Sequence, residues 1–231
     1  MEKHKDIFIL SIETSQKVCS VAIHKNQELL INTTIFSDKS ASGQLVPIIE
    51  QSLLNCQLKP NDLNAVAVAK GPGSYTGLRI AVSTAKGLCL AIDKPLIAIN
   101  TLKAMAKQVV PYFPKNYLFC PMLDARRMEV YCAIYDSELN VVLDTNAKII
   151  NENSFDELLA ENTVVFFGDG ADKSRDILDK NRNAIFLNSK IYPSASQIGE
   201  LAINKYEVEE FENLVTFEPY YLKEFVGNVK A

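Results

Sequence analysis

The run Ile7-Phe8-Ile9-Leu10-Ser11-Ile12 stops abruptly on Glu13-Thr14-Ser15, and two further β-rich runs follow it, Val18–His24 and Glu28–Phe36. Only the polar break Lys25-Asn26-Gln27 separates those two, so the three runs predict an antiparallel meander. Downstream, Gln44–Leu54 carries Leu45, Ile48, Ile49 and Leu53 at helical spacing, with Pro47 in the opening turn where its missing N–H does little harm. A strand over Ala65–Ala69, a glycine-rich turn over Lys70–Gly77, a helix over Leu78–Ile92 and a strand over Pro95–Ile99 complete a βββαβαβ order.

The second half repeats that order. Tyr117–Leu123 ends at Asp124, and Met128–Tyr135 and Val141–Ile150 follow as strands. Ser154, with Glu157 three residues on, reads as a capping box for a helix over Phe155–Ala160. Then come a strand at Val164–Phe167, the turn Gly168-Asp169-Gly170, a helix near Lys173–Lys180, a strand at Ala184–Leu187 and a helix over Ser196–Tyr206. A single offset of 111 lays Glu13 on Asp124 and Ser20-Val21-Ala22-Ile23 on Tyr131-Cys132-Ala133-Ile134. The expected fold is α/β, two tandem ribonuclease-H-like lobes of the architecture seen in actin, the Hsp70 ATPase and sugar kinases. The first lobe is expected over residues 1–103 and the second over 104–231, with the C-terminal segment packing back on the first. This likeness concerns fold and assigns no activity.

The composition is that of an ordinary globular chain: 231 residues, 48% hydrophobic and 23% charged, which excludes disordered and collagen-like classes. With 24 Lys+Arg against 28 Asp+Glu, the net charge of −4 opposes gripping nucleic acid unaided, because that affinity comes from neutralising phosphates. A local basic patch stays open. Asp6 and Glu13 enclose too few uncharged residues for a secretory core, and the longest uncharged stretch, Ser40–Ile49, is far short of a membrane span. The five cysteines, odd in number and set mostly in apolar runs, read as small core residues of a reduced compartment. A cytoplasmic chain without a membrane segment is expected.

Lys70-Gly71-Pro72-Gly73-Ser74-Tyr75-Thr76-Gly77-Leu78-Arg79 joins a strand to a helix, the place where free N–H groups favour an anion. It lacks the Gly-Lys-Ser/Thr ending of a phosphate loop, and Gly71, Gly73 and Gly77 miss G-x-G-x-x-G by one residue. Two readings stand: a vestigial anion or nucleotide site over Glu13, Gly71, Gly73, Ser74 and Asp124, or a tight turn whose glycines admit another backbone. The helix behind it is rich in small residues (Gly77, Ala81, Thr84, Ala85, Gly87), which suits a close helix neighbour in this chain or in a partner. Glu13 and Asp124 likewise read either as carboxylates closing turns or as groups orienting a metal or nucleophile; neither Glu13-Thr14-Ser15 nor Asp124-Ala125-Arg126 has the glycine of a working phosphate loop. With only His4 and His24, and no His-x-x-x-His or Cys-x-x-Cys, no metal or other cofactor is expected.

Several of these segments together resemble the bacterial TsaB (YeaZ) family. They are Ile9–Ser15 with Cys19–Ala22, the loop Gly71–Arg79, Ala85-Lys86-Gly87-Leu88, Leu123-Asp124-Ala125-Arg126 with Glu129-Val130-Tyr131, and Glu218-Pro219-Tyr220-Tyr221-Leu222. The resemblance implies a non-catalytic subunit in making N6-threonylcarbamoyladenosine on tRNA. It would pair through first-lobe helices with a TsaD-like catalytic subunit, be joined by a TsaE-like ATPase, reach tRNA through that complex, and form homodimers when alone. The interface is then expected on Leu45, Ile48, Ile49 and Leu53 of one helix and Thr76, Leu78, Ala81, Val82 and Ala85 of the other, and a charge at Ala81 should abolish pairing with the fold intact. Two departures stand out: Glu13 where the family usually has Asp, and Ala41-Ser42 where members often carry His-Ser. The alternative reading is a small ATPase or kinase of the bilobal class acting alone; a metalloprotease is the weakest, for want of histidines.

Overall fold

The computed structural model describes residues 6–36 and 41–223; His4 lies outside them. The first sheet contains β1 (Phe8–Glu13), β2 (Val18–Lys25), β3 (Glu28–Phe36), β4 (Ala65–Gly71) and β5 (Leu96–Asn100) in the order β3-β2-β1-β4-β5. The second contains β6 (Leu118–Asp124), β7 (Glu129–Tyr135), β8 (Val141–Ile149), β9 (Val164–Phe167) and β10 (Ala184–Phe186) in the matching order β8-β7-β6-β9-β10. In each, the first three strands pair antiparallel and the last two join parallel. The tandem bilobal α/β fold expected from the sequence is the observed one.

Both central strands read as unbroken apolar runs because both of their faces are covered. On one side of the first sheet, Leu10, Ile12, Val21, Val66 and Val68 pack against α1 (Leu45–Asn55) and α2 (Tyr75–Ile92). On the other side, Ile9, Ala65, Ala67 and Ile97 meet α6 (Ala195–Glu207), so the last helix of the second half completes the first sheet. The exchange is mutual. A helix absent from the sequence reading, α3 (Thr101–Val109), follows β5 and lays Leu102, Met105, Ala106 and Val109 on Phe119, Leu123 and Phe167 of the second sheet. The Asn100 side chain caps α3, accepting from Leu102 N at 2.9 Å and Lys103 N at 3.2 Å. Position 103/104 thus falls inside a helix. The remaining helices, α4 (Asp156–Glu161) and α5 (Asp169–Leu178), flank β9.

Two local expectations are corrected. Ser154 forms no capping box: α4 begins after Phe155, whose φ is +69°, and the Ser154 hydroxyl instead closes a turn with Asn151. The single offset of 111 holds for β2 onto β7 but not for β1 onto β6. Glu13 pairs with Ser20, whereas Tyr131, 111 residues beyond Ser20, pairs with Leu123. Core faces agree, since Leu10 and Ile12 face α1 and α2 while Cys120 and Met122 occupy the equivalent cluster. Asp124 therefore corresponds to Thr14 rather than to Glu13.

Candidate functional site

The glycine loop is occupied by the chain's own backbone. Ser74 N donates to Ser15 O at 2.7 Å, Thr14 Oγ1 donates to Gly77 O at 2.7 Å, and Gly77 N reaches the Ser74 hydroxyl at 3.3 Å. A Cβ on Gly73 would stand 2.4 Å from Ser15 O, and one on Gly77 would stand 2.0 Å from Thr14 O. No side chain fits at either place, which is why glycines recur where a helix N-terminus presses on a strand end. Ser74 serves as N-cap, and α2 begins at Tyr75, three residues earlier than its apolar pattern suggested.

Glu13 is wholly buried beneath this contact, and its carboxylate accepts from the Ser15 backbone N–H. Loss of solvation pushes its pKa up to about 7, the Ser15 hydrogen bonds opposing the rise. Its other oxygen has no geometrically sound hydrogen-bond partner among the described residues. Asp124 is exposed and closes a turn. Its carboxylate pairs with Lys173 and accepts from Arg126 N at 2.8 Å, while the Lys173 ammonium also donates to the carbonyls of Arg127 and Glu129, each at 2.7 Å. The structure thus gives the two carboxylates different register positions, different burial and different partners, an arrangement suited to holding turns.

The helix faces carry a larger correction. Leu45, Ile48, Ile49, Leu53, Leu78, Ala81, Val82 and Ala85 are all buried in the first sheet's core, and of the nine residues expected at the interface only Thr76 is exposed. Helical spacing locates an apolar face, and in a helix on a sheet that face belongs to the sheet. A charge at Ala81, with no exposed surface, would test folding rather than pairing. The outward faces are different residues: Val46 and Leu54 on α1, and Thr76, Ser83, Gly87 and Leu90 on α2. Gly87 is the informative one, because a Cβ built there meets nothing within 4 Å among the described residues.

A strap formed by the last described residues borders this surface. Glu212 bridges to Leu96, the Lys86 ammonium donates to Phe217 O at 3.0 Å, and Tyr220 N donates to Lys70 O at 2.7 Å. Gly71, at φ +112°, would place a Cβ 2.9 Å from Tyr220 O, and the Tyr221 ring lies 4.7 Å from that of Tyr75. The Glu218–Leu222 segment therefore ends on the glycine loop. No helix among the described residues is long and apolar enough to cross a membrane.

With this geometry in place, the chain can be set beside known proteins. The family model described as "TsaD: tRNA N6-adenosine threonylcarbamoyltransferase" matches residues 35–227. The tRNA threonylcarbamoyladenosine biosynthesis protein TsaB of Buchnera aphidicola subsp. Acyrthosiphon pisum is 30% identical over 186 residues, covering 78% of this chain and 83% of that one. TsaB of Bacillus subtilis is 35% identical over 127 residues, a match to 55% of this chain and 54% of that protein, so the aligned part spans about half its length. Among solved structures, YeaZ from Pseudomonas aeruginosa superposes with a TM-score of 0.80 at 22% identity, over 94% of this chain and 100% of that one, a likeness of fold.

Proposed function

The chain belongs to the TsaB family of tRNA threonylcarbamoyladenosine biosynthesis proteins, and on that premise we propose that it acts as a non-catalytic subunit docking on a TsaD-like transferase through the outer face of α2. The observation that carries this reading is Gly87: a residue unfavourable in a helix interior stands mid-helix on the surface, with open space where a side chain would go. A glycine flanked by Ser83 and Thr84 lets a second helix backbone approach closely, and Val46 and Leu54 of α1 add exposed apolar area on the same side of the sheet. A TsaE-like ATPase joins the pair, tRNA is reached through the assembly, and the free chain pairs with itself through the same face.

The test uses the purified chain and a TsaD-like subunit. Ser83→Glu, on the exposed face, should abolish pairing and tRNA modification while leaving the melting temperature unchanged. Wild-type affinity in that variant would place the interface elsewhere. Transfer of the threonylcarbamoyl group by the chain alone would overturn the non-catalytic role.

A further inference from the structure

A cavity of about 450 Å³ opens at the β5 edge of the first sheet, where the start of α3 meets the end of α6. Its charged lining is Lys70, Lys103, Lys205 and Glu210. Lys205 pairs with Glu210, but the ammonium groups of Lys70 and Lys103 have no hydrogen-bonding or ionic partner among the described residues, although both side chains are half-buried. Glu210 is taken up by Lys205, so Lys70 and Lys103 bring two unpaired cations to one concavity. Their placement also breaks a local rule. Lys103 sits in the first turn of α3, the positive end of the helix, and no acidic residue accompanies it there. In a chain of net charge −4 such an exception marks a place where an anion is wanted.

The rest of the cavity narrows the ligand. The Asn100 side chain is engaged at both ends, by the α3 N–H groups and by Thr145, so the helix terminus is already capped and the lysines supply the free positive charge. Leu201 and the largely exposed Val208 add apolar surface, and the exposed Asn204 carboxamide beside them has no partner among the described residues. Two ammonium groups, adjoining aliphatic surface and one free amide suit a phosphate carrying a heterocycle, and the volume falls within the range of small-ligand sites. We propose that this cavity binds a nucleotide, its phosphate on Lys70 and Lys103 and its base against Leu201 and Val208 with a polar edge towards Asn204. The site lies apart from the outer face of α2 and does not depend on the pairing proposed above. The nucleotide comes either free or as a residue of an RNA strand.

The experiment is calorimetric titration of the whole chain with AMP, with inorganic phosphate and with a 5′-phosphorylated tri-adenylate. AMP should bind more tightly than phosphate. The Lys70→Ala/Lys103→Ala double variant should bind AMP at least tenfold more weakly with an unchanged melting temperature, and Lys103→Gln alone should weaken it severalfold while keeping its stem. Tighter binding of the tri-adenylate assigns the site to RNA, and tighter binding of AMP assigns it to the free nucleotide. The proposal is overturned if AMP fails to bind at millimolar concentration, if the lysine variants bind it as wild type does, or if phosphate alone binds as tightly as AMP.

Discussion

Beneath α6, His24 is wholly buried with neither ring nitrogen paired among the described residues, and a Cβ on Gly199 would stand 2.2 Å from its Nδ1. Burial pulls its pKa down to about 4. Glu13 lies on the same face of the sheet and is pushed up to about 7, so the two groups act oppositely on stability. The Glu13 contribution is fully present below about pH 4.5 and is lost as pH rises through about 7. The His24 contribution is present above about pH 6.5 and is lost as pH falls through about 4. Between pH 4.5 and 6.5 the folded chain holds one extra proton on Glu13 and lacks one on His24, and the slopes cancel. Glu13→Gln removes one side of that balance. Its unfolding free energy should fall with acidification, relative to wild type, by about 1.4 kcal/mol per pH unit across this window. Urea titrations of both proteins at several pH values measure it, and parallel curves would refute the assignment.

At the scale of one element, α2 holds two glycines with opposite demands. Gly77 meets the Thr14 carbonyl so closely that Gly77→Ala should destabilise by about 1–3 kcal/mol through overpacking. Gly87 faces open space, so Gly87→Ala should stabilise the isolated chain by about 0.5–1 kcal/mol through helix propensity. The same Gly87→Ala change should weaken pairing with a TsaD-like subunit, because it puts a methyl in the close seam. Urea midpoints and a binding titration read the two effects, and a Gly87→Ala chain that pairs as wild type does would remove glycine's role in the seam. The helix also marks the limit of sequence reading. Apolar periodicity located α1 and α2 within a few residues, since Leu45, Ile48, Ile49 and Leu53 repeat at helical spacing. It could not say whether that face served the chain's own sheet or a partner, because both are apolar. The exposed face is recognisable only by a mid-helix glycine with nothing to pack against. In the hairpins, a turn one residue longer in the second half displaced Asp124 from Glu13, a slip that low identity leaves invisible and only strand pairing reveals.

For the whole molecule, the exchange of α3 and α6 ties the halves into one body. Strand order was readable because each apolar run ends at a polar or glycine break. The exchange was not, because α6 belongs to the first sheet only through packing with Ile9, Ala65, Ala67 and Ile97. Ala195 N, at the start of that helix, donates to Ser20 Oγ at 3.1 Å, a contact 175 residues apart in sequence. Calorimetry should therefore give a single transition whose van't Hoff and calorimetric enthalpies agree. A chain ending at residue 190 should show no cooperative melting, since an apolar sheet face is left bare. Two resolved transitions, or a cooperative shortened chain, would contradict the interlock.

That interlock also bears on how the polypeptide is made. On the ribosome, the first sheet has all five strands once Asn100 has emerged, yet Ala195–Glu207 must be synthesised before its second face is closed. At elongation rates of about 5–20 residues per second the nascent sheet waits several seconds with that face uncovered. Its alanines, Ala65, Ala67 and Ala69, present less sticky surface during the delay than larger aliphatic side chains would.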